Sequence, residues 1–425
     1  MLVLLRRRNF SLLWFGQLVS QIGDMVLMIA LPFYVYQLTG SLFHTGLMYI
    51  VETLPRILFG SLAGVFVDRW DRRWTLIASD VGRAAVLLLL MLVRAPNHLW
   101  LIYAVAGMQA VLALFFAPAL SAITPTLVGE QQVVAANALQ SVSESLMRFI
   151  GPPLGGALFA LVGLTGVVLV DSTSFIFSAA LLLLIGASKQ HVDAVRRAPA
   201  VGTLWVQLWR EWLDGLRLVR ERPIITGLFV TCGLFAFSQG LVAAPLIVFV
   251  REVMGGTALT LGWMAMAQGV GSLLGAGLVE RASTVVDPAY LIGVPLVIAG
   301  CIVLVFVNVP VLVVVLPLIA TMGLFIVGFF VTTQTLIQRH IADQYRGRVV
   351  GALGTTTALM ALLGMLIAST LGDRVGAVAL LDSSGGLTAL AGVVAVVMVR
   401  DAGPTAPPAT AREHCPQERP AGLRV

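Results

Sequence analysis

Six ionisable side chains lie inside long apolar stretches of the first half of this chain: Asp24, Glu52, Arg56, Glu144, Arg148 and Asp171. The matching stretches of the second half carry almost none. A charge at the centre of a bilayer-spanning helix costs about 2.5–3.5 kcal/mol on insertion scales, so such residues face a polar cavity or a partner and mark ion or substrate paths. Glu52 and Arg56 are four residues apart, as are Glu144 and Arg148, so each pair shares a helix face and can neutralise itself. Asp24 and Asp171 have no such neighbour in sequence, and a carboxylate in low dielectric without an adjacent cation tends to hold a proton. The chemistry expected is reversible protonation, with the mid-span Asp24 as first candidate. The alternative is that Asp24 or Asp171 pairs across helices with Arg56 or Arg148 and only holds the bundle together. Asp80 and Arg83, placed near the cytoplasmic end of the third apolar window, are expected to be structural.

The elements that position these residues follow from composition. Of the 425 residues, 58% are hydrophobic and only 11% charged, against about 25% charged in an average soluble domain. About 20 apolar residues cross the hydrocarbon core. Such windows fall at 11–38, 46–67, 74–94, 99–122, 138–162, 165–187, 224–250, 258–279, 288–307, 309–337, 349–371 and 377–399. The expected fold is an all-α integral membrane protein of twelve transmembrane helices in two six-helix pseudo-repeats. In the last window Asp382, Ser383, Ser384, Gly385 and Gly386 predict a helix break or an interfacial start.

Arginines cluster before the first window (Arg6, Arg7, Arg8), after the second (Arg69, Arg72, Arg73), in the central segment and after the tenth window (Arg339, Arg346, Arg348). The intervening loops carry little beyond Arg94, Arg251 and Arg374. The positive-inside rule then predicts both termini in the cytoplasm of a multi-pass cell-membrane protein, and the net charge of +6 needs no nucleic acid to explain it. The expected organisation is a bundle over 1–188, a cytoplasmic linker over 189–223, a second bundle over 224–400 and a disordered, proline-bearing tail over 401–425. Within the linker Trp205, Leu208, Trp209, Trp212, Leu216 and Val219 recur at helical spacing, which predicts an amphipathic interfacial helix.

The halves echo each other. Gly60-Ser61-Leu62 with Gly64 returns 211 residues later as Gly271-Ser272-Leu273 with Gly275. Parallel repeats with substrate bound between them near the midplane are a transporter plan. The second half offers Gln239, Gln268, Gln334, Phe235 and Met264 as candidate cavity residues, an adaptable and mostly apolar set. The single lysine, Lys189, lies outside any Gly-Lys-Ser/Thr loop, so ATP hydrolysis by a P-loop is excluded. Neither the five histidines nor Cys232, Cys301 and Cys415 have metal-ligand spacing, so no metal, cofactor or enzymatic constellation is expected.

The loop Gly64-Val65-Phe66-Val67-Asp68-Arg69-Trp70-Asp71-Arg72-Arg73 resembles the cytoplasmic signature of the major facilitator superfamily, with Asp71 where many members have glycine. That resemblance implies a conformational latch formed by Gly64, Asp68, Arg69, Arg72 and Arg73. The run Gly151-Pro152-Pro153-Leu154-Gly155-Gly156 resembles the signature of the antiporter branch, with Met147 in place of an earlier glycine. It implies a hinge at Gly151, Pro152, Gly155 and Gly156. With Ser20-Gln21-Ile22-Gly23-Asp24 and Asp171-Ser172-Thr173-Ser174-Phe175, the chain is similar to the macrolide-efflux and enterobactin-exporter branch. The resemblance implies a monomeric proton antiporter exporting lipophilic or amphipathic small molecules. Alternatives are a dedicated exporter of one metabolite such as a siderophore or self-made antibiotic, a lysophospholipid transporter, or a non-transporting scaffold or sensor.

Overall fold

The computed structural model describes residues 2–67, 69–186, 212, 219, 223–283 and 285–399. Among the described residues twelve α-helices follow one another: α1 (Arg8–Thr39), α2 (Leu42–Val67), α3 (Arg72–Leu88), α4 (Leu99–Val128), then α5 and α6, which share the helical stretch Val133–Leu183. Gly163 divides that stretch into α5 (133–162) and α6 (164–183), because its φ of 63° and ψ of −170° are open to glycine alone. After the linker come α7 (Pro223–Val248), α8 (Ala258–Ala282), α9 (Pro288–Asn308), α10 (Leu312–His340), α11 (Asp343–Val375) and α12 (Ala377–Val399). Ten helical stretches among the described residues are long and apolar enough to cross a membrane, one of them, Phe149–Leu183, holding the end of α5 and all of α6. The all-α fold of two six-helix halves is the one expected.

The last helix corrects an expectation. Ala377–Val399 is continuous, and Ser384 and Gly385 are buried inside it. Small residues here serve packing, with Gly385 against the Gly300 backbone and Gly392 against Gly293 on α9. Asp382 stays at the polar end, accepting a 3.0 Å hydrogen bond from Asn308 Nδ2.

The two halves meet along α5 with α8 and along α2 with α11. Each of these contacts lies toward one end. The Asp373 carboxylate of α11 accepts from the Leu42 backbone N–H and the Ser41 hydroxyl, both at 2.8 Å. Ser369 Oγ donates to the Phe43 carbonyl at 2.9 Å, and Tyr36 donates to Glu252 at 3.3 Å. At the opposite end of the same helices, a methyl group built on Gly60 or Gly64 of α2, or on Gly347, Gly351 or Gly354 of α11, would meet no atom within 4 Å. The halves are joined at the loop side opposite the arginines and parted at the arginine side.

Of the linker only Trp212 and Val219 are described. Trp212 Nε1 donates to Thr356 on α11 at 3.4 Å, and Val219 is buried against the second half. The amphipathic helix and the tail fall mostly outside the described residues.

Candidate functional site

Asp24 projects from α1 toward α3, where the Arg83 guanidinium forms an ion pair with it. This is the one salt bridge among the described residues. Arg83 is held from three further sides: its Nε donates to Gln109 Oε1 of α4 at 3.2 Å, Gln109 Nε2 returns a bond to the Arg83 carbonyl at 2.9 Å, and its guanidinium carbon stands 4.0 Å over the Phe175 ring of α6. A planar guanidinium can hydrogen-bond in its plane while stacking on an aromatic face, which an ammonium cannot do.

Two more carboxylates surround this pair. Asp171 of α6 is fully buried under Gly23 of α1, so close that any side chain at position 23 would collide with its carboxylate. Its Oδ1 accepts from Ser174 at 3.4 Å, and Oδ2 has no hydrogen-bond partner. Asp80, one helical turn before Arg83, is also fully buried, with both oxygens unpartnered and the Ser178 hydroxyl beside it. Arg83 and Asp24 act electrostatically on both. Three carboxyl groups therefore share one guanidinium in a low-dielectric setting, where more than one uncompensated negative charge is costly. Asp24 is the accessible member, with a third of its side-chain surface exposed.

Asp24, which has no cation near it in sequence, is paired across helices with Arg83, where the alternative expectation named Arg56 or Arg148; among the described residues no salt bridge reaches Asp171. α3 begins at Arg72, so Arg83 lies about 16 Å along the helix from its arginine-bearing start. Asp80-x-x-Arg83 within an apolar window was the available signal; Gln109 had none. Arg56 lies near enough to act on Asp24 and Glu52, although Glu52 and Arg56 form no salt bridge. Glu144 is exposed on α5, and the Arg148 side chain lies outside the described residues.

Beside this cluster runs the glycine motif. Met25 packs on Gly151 and the Val26 backbone on Gly155, where a methyl group would come within 2.5 and 2.8 Å of α1 atoms. Gly156 faces the Ala258 carbonyl of α8, and Gly262 of α8 faces Pro152 and Pro153. The helix continues through both prolines, and the positive φ comes at Gly163. The residues after Asp24 are therefore wedged against α5 at the point where α5 touches the other half.

In the expected latch, Arg72 donates to the Ala122 carbonyl at 2.9 Å, and Arg73 to the Leu182 and Leu183 carbonyls at 2.9 and 2.6 Å, capping the end of α6. Arg69 is exposed, Gly64 faces open space, and Asp68 lies outside the described residues. Asp71 caps α3 through the Trp74 N–H at 2.9 Å, which accounts for an acidic residue at that position.

Two cavities open along α7. One, of about 220 Å³ below the joined end, is lined by Gln239, Met264 and Gln268 together with Tyr49 and Met28 of the first half. The other, of about 580 Å³, lies within the second half and is lined by Phe235, Gln239 and Gln334. The five candidate cavity residues are thus divided between two chambers, with Gln239 common to both.

The family model described as Major Facilitator Superfamily matches residues 13–365 and 242–423. The chain is 25% identical over 386 residues to macrolide efflux protein A of Streptococcus pyogenes, covering 87% of this chain and 90% of that one. It is 27% identical over 425 residues to the multidrug efflux pump Tap of Mycolicibacterium fortuitum, covering 93% and 97%. The structure of a bacterial homologue of the iron transporter ferroportin in an inward-facing state superposes with a TM-score of 0.74 at 17% identity, covering 93% and 99%, a likeness of fold. Half-repeats of six helices, a parted arginine-rich end and a family match across nearly the whole length agree: this chain is a transporter that belongs to the Major Facilitator Superfamily.

Proposed function

We propose that the protein exports lipophilic or amphipathic small molecules, drugs among them, from the cytoplasm by proton antiport, with Asp24 as the group that exchanges its proton. The observation that carries this reading is the Asp24–Arg83 pair set beside the buried carboxylates of Asp80 and Asp171. A proton arriving on Asp24 releases Arg83, which then neutralises a neighbouring carboxylate, and the pairing moves within the cluster at little cost in net charge. Because Gly23, Met25 and Val26 are wedged against α6 and α5, a shift of α1 is carried to α8 through Gly156 and Gly262. The efflux names of the two relatives support the export direction and the substrate class. The arginine distribution supports a cell-membrane protein with cytoplasmic termini and the parted end facing the cytoplasm.

The test is proton-coupled efflux in inverted membrane vesicles, reading collapse of a pre-formed pH gradient on adding dyes and macrolides. The wild type dissipates the gradient on adding substrate; Asp24→Asn, inserted at equal level, does not. Equal dissipation by wild type and Asp24→Asn would remove Asp24 from coupling.

A further inference from the structure

We propose that the chamber inside the second half is a loading site for a flat, uncharged aromatic molecule, which occupies it before reaching the central chamber. The inference rests on the export reading and names the ligand chemistry that the arginine side of the transporter selects.

Size favours it. Drug-sized ligands sit in cavities of about 300–1,000 Å³. The chamber between α7, α10 and α11 has about 580 Å³, whereas the central one below the joined end has about 220 Å³. With the halves parted as they are, only the former accommodates such a molecule without rearrangement. Position favours it as well. Its lining residues lie on the halves of α7, α10 and α11 toward the arginine end, as Ile337 and Val350 mark, and the central chamber is lined from the other halves of α7 and α10. Gln239, alone in lining both, stands at their junction.

The lining dictates the ligand. Phe235, Phe329 and Phe330 form one aromatic group, with ring centroids 5.0 Å apart for Phe235–Phe329, 6.0 Å for Phe235–Phe330 and 5.0 Å for Phe329–Phe330. Phe330 is 54% exposed, an open ring face of the kind on which another ring stacks. Thr333 is 6% exposed, and its hydroxyl, beside the Cys232 thiol, is otherwise without a hydrogen-bond partner, so a buried polar atom at the wall can take a stronger one. Gln334 and Gln239 add amides. No charged residue lines the chamber among those described. A carboxylate or an ammonium would find no counter-ion there, and a ligand combining a planar ring system with one or two carbonyl or amide groups would satisfy both rings and hydroxyl.

The experiment is binding of Nile red, a neutral planar dye, to the full-length protein in lipid nanodiscs, read as saturable fluorescence above empty nanodiscs. Phe330→Ala and Gln334→Leu, both at exposed positions, are each expected to weaken binding at least tenfold. Val331→Ala, beside Phe330 on α10 but in the lining of neither chamber, should leave the affinity within twofold. Asp24→Asn should bind the dye normally while failing to transport it, so loss of coupling and loss of the loading site read out separately. Unchanged affinity in both chamber variants, affinity lost in Val331→Ala alone, or no saturable signal above empty nanodiscs would overturn the proposal. Dye binding lost in the chamber variants together with unimpaired transport by Asp24→Asn would uphold the site and discard the coupling assignment.

Discussion

At the scale of single residues the molecule turns on Arg83, which satisfies Asp24, Gln109 and the Phe175 face at once. Removing one member of a buried ion pair costs about 3–5 kcal/mol because the other is left uncompensated. Asp24 is a third exposed, so Arg83→Gln belongs at the lower end of that range. The expected result is a clear fall in melting temperature in detergent, and the double variant Asp24→Asn/Arg83→Gln should be more stable than Arg83→Gln alone. A sum of the two single losses would show that the pair is not coupled. Arg83→Lys keeps the charge but loses the planar bond to Gln109 and the stacking on Phe175, so it should fold yet transport more slowly in the vesicle assay. Intramembrane acids were visible in the sequence because each is an isolated departure from an apolar run, and Asp24 and Asp171 do converge. Their cation was not, since the distance between α1 and α3 leaves no trace in spacing, whereas the four-residue pairs that spacing suggested include one, Glu52 with Arg56, that does not close.

At the scale of elements, glycine decides how closely helices meet. Gly156 touches the α8 backbone directly, so Gly156→Val should prevent the halves from seating and lower the yield of folded protein on size-exclusion chromatography. The mirror case is the open end of α2. Leu42 lies on Gly372 and Gly46 on Ser369, and continuing that antiparallel register one residue for one places Gly60 opposite Gly354 and Gly64 opposite Gly351. These four glycines now face open space. A Gly64→Cys/Gly351→Cys pair should cross-link with a short bifunctional reagent only when the arginine end closes, and the cross-linked protein should stop transporting. Cross-linking that is equally fast in a protein locked in the present arrangement would refute the register. The repeat of glycines was legible at 211 residues' offset, yet its two copies behave differently: Gly271 and Gly275 are filled by α10 while Gly60 and Gly64 are vacant. The same reasoning failed at 382–386, where small residues that look like a break are the contact surface for α9.

At the scale of the whole molecule the present arrangement is held by a few polar bonds at the joined end. Asp373 places a negative charge on the N-terminus of α2, a charge–dipole contact of about 0.3–1 kcal/mol. Asp373→Asn should therefore shift the balance between the two arrangements up to about fivefold toward opening of that end, seen as faster labelling of a cysteine placed at Ala244, which is buried beneath it. No change in labelling would show that Asp373 does not hold the end closed. The close packing of distant helices also bears on how the chain is made. Gly16 and Gly23 of α1 have their partners at Ser178 and Asp171, and Gly293 and Gly300 of α9 have theirs on α12. On a ribosome, α1 enters the bilayer long before α6 exists, and α9 before the last helix emerges. Until then, each exposes to lipid a notch shaped for a neighbour not yet synthesised, and Asp24 waits in the membrane without its arginine until α3 follows. Biogenesis of each half is thus completed by its sixth helix, and a ribosome that stalls before α12 leaves α9 as an orphan for the cell's membrane quality control.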